Sequence, residues 1–161
     1  MSKPNGYILF EGPSALDGQP IVVIATGFAN KSANGKTGDM VQTWILRADI
    51  EPHLAVKSGD DASICGDCIH RPARRAEVLA SGAAFVPCYV KTFQAPLSVY
   101  GGYKRGIYPV ASHAEIAALC AGRMVRIGSY GDPYAAPISI WRAMTSKALG
   151  WTGYTHQWRT A

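Results

Sequence analysis

The chain has 161 residues, 48% of them apolar and 17% charged, with 17 Gly and 10 Pro. That length suits one domain spanning 1–161, and the composition excludes collagen, coiled coil and disorder. The longest apolar runs, such as 21–25, fall far short of the ~20 residues of a membrane span. The N-terminus lacks the apolar core of a signal peptide, so a cytoplasmic location is expected. In a reducing compartment the four cysteines are expected to be thiols or ligands, not disulfides.

The net charge of +5 is unevenly spread. Residues 1–67 hold five Lys/Arg against eight Asp/Glu, whereas residues 68–161 hold eleven against three. A basic portion of that kind favours anionic partners, nucleic acid or phosphate groups among them. The alternative is a solvated basic face without a partner.

In chain order, Tyr7–Phe10 and Pro20–Ala25 read as short strands separated by a turn. Residues 27–39 are polar and turn-forming. A phosphate-binding loop ending in Gly35-Lys36-Thr37 would need a glycine where Asn30 stands, so a hairpin loop is expected. Met40–Leu46 alternates as a third strand. A short helix is predicted from an Asp49 cap to about Ser58, ended by Gly59. Residues 59–90 read as irregular and hold three of the cysteines. A weak helix after Pro96 is predicted to break at Gly101-Gly102. Ser112-His113-Ala114-Glu115 is a capping box that opens a helix ended by Gly122. Met124–Ile127 reads as a strand. Pro137 suits the first turn of a helix that runs to Gly150, and Thr152–His156 reads as a last strand. Strand, loop, helix and strand over 124–156 make a βαβ unit with a parallel pair.

Four groups of residues carry possible chemistry. Cys65-Gly66-Asp67-Cys68 puts two thiolates on one turn, the arrangement a short peptide needs to chelate a metal, and Cys88 follows 20 residues later. The fourth position is open to His70 or left free, while Cys120 lies on an apolar helical stripe and is expected in the core. The alternatives are a zinc staple pinning an irregular segment and thiols that hold no metal.

Gly128–Pro133 with Thr155-His156 forms another group. In a parallel unit, Asp132 and His156 both lie past the carboxyl ends of neighbouring strands, where α/β sheets bind ligands. Gly128 and Gly131 let a ligand approach the backbone, Asp132 accepts hydrogen bonds, and His156 is a possible acid or base. A capped turn beside an edge histidine is the alternative. Arg71, Arg74, Arg75, Lys91, Lys104 and Arg105 interleave with Tyr100, Tyr103 and Tyr108, as on surfaces that bind single-stranded nucleic acid. Tyrosines at that spacing also serve as packing residues. The fourth group is the loop before Thr37 described above.

The order Asn34-Gly35-Lys36-Thr37-Gly38, Cys-x-x-Cys, Cys88-Tyr89-Val90, Arg126 to Pro133 and Tyr154 to Trp158 resembles a group of proteins encoded by phages and mobile elements. These in turn resemble reduced relatives of radical S-adenosylmethionine enzymes. The resemblance implies a bacterial host and a [4Fe–4S] cluster on Cys65, Cys68 and Cys88. It also implies S-adenosylmethionine at the open iron and a cofactor-binding loop at Gly131-Asp132-Pro133. The expected fold is α+β: N-terminal antiparallel strands, a cysteine-rich irregular middle, and a C-terminal βαβ unit resembling part of a partial TIM-like barrel. The expected function is a metal-binding, iron–sulfur protein, with reductive cleavage of S-adenosylmethionine if it is catalytic. The rival is a non-enzymatic module stapled by Zn2+ that binds nucleic acid or a host protein through residues 68–161.

Overall fold

A computed structural model describes residues 3–30, 35 and 37–158. Asn34 and Lys36 of the Gly-Lys-Thr segment lie outside the described residues. Five strands form one sheet in the order β1-β2-β3-β4-β5. β1 (Gly6–Pro13), β2 (Pro20–Thr26) and β3 (Val41–Arg47) are antiparallel to one another, β2 pairing with both β1 and β3. β4 (Met124–Tyr130) lies parallel to β3, and β5 (Gly150–Thr152) lies parallel to β4. The fold is therefore the expected α+β arrangement, with antiparallel strands first and a parallel βαβ unit last.

Ile21 to Ala25 are all fully buried, so consecutive residues that point to opposite faces of β2 both meet protein. Burial of this kind explains the unbroken apolar run, which contributes about 2 kcal/mol for each large side chain. The outer edge of β1 is covered where Ile8 exchanges backbone bonds with Pro109 and Ala111. Among the described residues, no helix is long and apolar enough to cross a membrane.

Helix α1 (Pro52–Ser58) starts later than predicted, with Glu51 at its cap. Asp49 cannot cap it, because both its oxygens take the buried Arg47 guanidinium at 3.0 Å. Pro52 sets the start instead, since its missing N–H and fixed φ suit the first turn. The segment expected to be irregular contains α2 (Ala62–Cys65), a 3-10 turn at Pro72–Arg74 and α3 (Arg75–Ala80). α4 (Ala95–Lys104) runs unbroken through Gly101-Gly102, because Tyr108 packs where a side chain on Gly102 would sit. The Ser112 capping box is present and opens α5 (His113–Leu119). α6 (Ile138–Thr145) ends five residues before Gly150, which begins β5. Thr152 is the last residue of β5, so residues 153–156 are not strand.

Two local features shape the end of the sheet that carries the site. Between Gln42↔Arg126 and Trp44↔Tyr130 the register slips, so β4 bulges. The Thr43 hydroxyl fills the gap, donating to the Arg126 carbonyl at 3.3 Å and accepting from the Gly128 N–H at 2.8 Å. The chain then turns at Gly131, whose φ is +82°. A Cβ there would lie 2.6 Å from the Ile45 Cβ and 2.8 Å from its carbonyl, so only glycine fits. Substituting Gly131→Ala should lower the unfolding free energy by about 3 kcal/mol from combined backbone strain and overlap. Urea denaturation measures it, and an unchanged midpoint would contradict the packing described.

Candidate functional site

The site lies beyond the carboxyl ends of the parallel strands, where α2, the loop after β4 and the segment after β5 converge. α2 is fixed to the end of β3 because Arg47 also donates to the Ser63 hydroxyl at 3.1 Å. The helix ends in the Cys65–Cys68 turn, closed by the Cys68 N–H donating to the Cys65 carbonyl at 3.2 Å. Arg71 braces this turn from behind. Its guanidinium donates to the Gly66 carbonyl at 3.0 Å, to the Gly59 carbonyl at 2.8 Å and to buried Asp61 at 2.8 Å. Arg71 was expected on a basic surface; it is buried, because it neutralises Asp61 and satisfies two carbonyls. Arg74 likewise pairs with Glu77.

Cys88 reaches the turn through His70. The His70 carbonyl accepts the Cys88 N–H at 3.0 Å, and the His70 ring donates from Nδ1 to the Val86 carbonyl at 2.6 Å. The His70 backbone N–H also bonds the Cys68 sulfur. His70, expected as one option for the fourth ligand, lies beside the cysteines and links Cys88 to the other two through its backbone. Its ring rests edge-on against His156, with centroids 5.8 Å apart.

Cys65, Cys68 and Cys88 thus line one cleft of about 60 Å³. Gly128 to Asp132 form the facing wall, and Tyr89, Tyr154 and His156 stand at its sides. Asp132 organises that wall. Its buried carboxylate accepts from the Thr155 hydroxyl at 2.6 Å, the His156 N–H at 2.7 Å and the Tyr134 N–H at 3.0 Å. The His156 ring nitrogen lies 3.8 Å from the same carboxylate. The two loop ends therefore meet as the βαβ order implied, and Asp132 spends most of its acceptor capacity on the chain itself. Gly128 sits against the Gly131 carbonyl, where a Cβ would come within 2.9 Å.

Several contributors were not found from sequence. Gln157 is buried, donates to the Cys65 carbonyl at 3.3 Å, and occupies the space a side chain on Gly66 would need. Arg126 donates to the Tyr89 hydroxyl at 2.9 Å, and Tyr89 in turn bonds Tyr154 at 3.2 Å. Tyr130 lines the cleft with 4% of its surface exposed, and its hydroxyl has no hydrogen-bond partner among the described residues. A phenol inside a loop motif gives no sign in sequence that its oxygen will be buried and unpaired. Cys120 is fully buried in the core, as expected.

Burial pushes the Cys65 thiol well above its ordinary range, and nearby Asp61, Cys68 and Cys88 push the same way while Arg71 opposes them. The Cys68 thiol is raised for the same first reason, with the His70 N–H pulling it down. Tyr130 is raised well above its usual value by burial and by the adjacent cysteines. Tyr154 is pushed to about 12, first by its bond to Tyr89 and then by burial. The cleft therefore resists collecting thiolate charge. Among the described residues, no three His, Cys, Asp or Glu side chains close on a single ion's position.

Set against protein-family models, curated proteins and solved structures, the chain matches none. In the metal-free protein, exposed Cys88 should be alkylated by iodoacetamide first and buried Cys120, whose thiol is pushed to about 11, last. The Cys65 and Cys68 rates should keep climbing above pH 9, because their thiolates form only at raised pH. Peptide mass spectrometry over time reads the order, and equal rates for all four would contradict this electrostatic picture.

Proposed function

We propose that the protein is a metal-dependent protein in which Cys65, Cys68 and Cys88 hold an iron–sulfur cluster, the cleft between them and the Gly128–Asp132 loop being its seat. The observation that carries this reading is the convergence of three thiols, from two separate segments, on one small cleft. The donor set fits: thiolates are the ligands such clusters take, and three of them leave one iron without a thiolate from the chain.

The surroundings support the same reading. The His70 N–H already donates to the Cys68 sulfur, and the unpartnered Tyr130 hydroxyl is a second donor at the cleft. Donors of this kind stabilise thiolate charge and tune the reduction potential of a bound cluster. Asp132 holds the wall in shape, and His156 stands beside it as the residue able to take or give a proton.

By its resemblance to reduced radical S-adenosylmethionine enzymes, the open iron would take S-adenosylmethionine through its amino and carboxylate groups. A cluster held by Cys65, Cys68 and Cys88 and reduced by an external one-electron donor would supply the electron that breaks a sulfonium carbon–sulfur bond of that cofactor. The remaining work falls to the chain: the loop from Gly128 to Asp132 presents backbone close to the cleft, and Tyr89 and Tyr154 flank its entrance.

Anaerobic purification and reconstitution of the full chain, followed by iron, sulfide and zinc analysis, tests the proposal. About four iron and four sulfide per chain are expected, with loss of both in Cys65→Ser, Cys68→Ser and Cys88→Ser and retention in Cys120→Ala. A colourless protein with one zinc and no iron would overturn the cluster and favour a zinc staple.

A further inference from the structure

A second depression opens beside the thiol cleft, and the two share Tyr89, Val90 and Ser129 as walls. This groove measures about 250 Å³ and lies over β3 and β4 beneath the segment that follows Cys88. Two cations border it, Lys91 and Arg126, and none of its lining residues is acidic. The described arginines fall into two groups, those paired with a carboxylate and those, such as Arg75, Arg105 and Arg142, that are not. Arg47, Arg71, Arg74 and Arg123 are each paired with a carboxylate of the protein. Arg126 instead donates one nitrogen to the Tyr89 hydroxyl, a neutral group, and its remaining donors have no carboxylate of the chain beside them in the groove.

The other groups in the groove complete a recognition set. The exposed ring of Tyr89 supplies aromatic surface, while Trp44 borders the groove as a buried ring whose indole nitrogen is satisfied by the Thr26 hydroxyl at 2.8 Å. Gln42 and Gln94 supply amides for hydrogen bonding. Positive charge at this density favours an anion, and a guanidinium fits a phosphate better than any other common group. It disfavours S-adenosylmethionine, which carries a sulfonium and an ammonium, so the groove is suited to the molecule acted upon and not to that cofactor.

We propose that this groove binds a small phosphorylated molecule bearing a planar ring, of nucleotide size, with its phosphate on Arg126 and Lys91 and its ring against Tyr89. The groove would hold the substrate next to the thiol cleft, so the assignment of a substrate rests on the metal-centre reading. The binding itself does not.

Calorimetric titration of the anaerobically reconstituted full chain at low salt tests it, with AMP, adenosine and ribose 5-phosphate as probes. AMP should bind at least tenfold more tightly than either fragment. Arg126→Gln and Lys91→Gln should each weaken AMP about tenfold and leave adenosine unchanged, while Arg126→Lys recovers part of the loss. Lys91 is exposed, so that variant is informative even if Arg126→Gln unfolds. AMP that binds no better than adenosine, or binding indifferent to both substitutions, would overturn the proposal. So would a single-stranded oligonucleotide that binds tightly where AMP does not. The same titration on Cys88→Ser separates the two readings. Unchanged AMP affinity in Cys88→Ser shows that the groove binds without the cluster. An unsubstituted chain that binds AMP but takes up no iron keeps the groove and removes the cluster, whereas an iron-loaded unsubstituted chain that ignores AMP removes the groove alone.

Discussion

The Asp132 carboxylate is the contact on which the rest of the site depends. It gathers the Thr155 hydroxyl, the His156 N–H and the Tyr134 N–H, and so joins the loop after β4 to the segment after β5. Hydrogen bonds to an ionised group are stronger than neutral ones, and this carboxylate is buried. By drawing residues 154–157 inward it ends β5 at Thr152. It also sets Gln157 on the Cys65 carbonyl and brings Tyr154 to Tyr89. The Cys-x-x-Cys turn, the facing wall and the entrance are all held in relation through one side chain.

A second anchor works from below. Arg71 ties the turn to Asp61 and to the carboxyl end of α1, and His70 ties Cys88 to the turn. Both residues lie within six positions of Cys65, so the local sequence encodes the support as well as the ligands. The thiols themselves sit where burial disfavours thiolate charge, so they rest protonated on a turn braced from both sides.

Much of the fold was legible in sequence because its signals are local. The apolar run 20–25, the Ser112 capping box and the strand–loop–helix–strand order after residue 124 each follow from spacing or side-chain chemistry within a few residues. Errors arose where a side-chain partner outside the motif decides, whether two residues away or far along the chain. Asp49 reads as a helix cap until Arg47 claims it, Gly101-Gly102 reads as a break until Tyr108 packs on it, and Thr155-His156 reads as strand until Asp132 bonds it. The site divides in the same way. Cys65, Cys68, Cys88, Gly131, Asp132 and His156 stand around one cleft as their types and order suggested. The buried hydroxyl of Tyr130, the role of His70 as a link and the turning inward of Arg71 depend on tertiary contacts that no motif records.

What occupies the thiol cleft decides whether the protein holds an iron–sulfur cluster. Anomalous diffraction at the iron edge, from crystals of the anaerobically reconstituted chain, measures this directly. A peak of several irons bounded by the Cys65, Cys68 and Cys88 sulfurs, with one iron free of any protein thiolate, is the result predicted. Iron located elsewhere, or no iron signal with the three cysteines free, would contradict it.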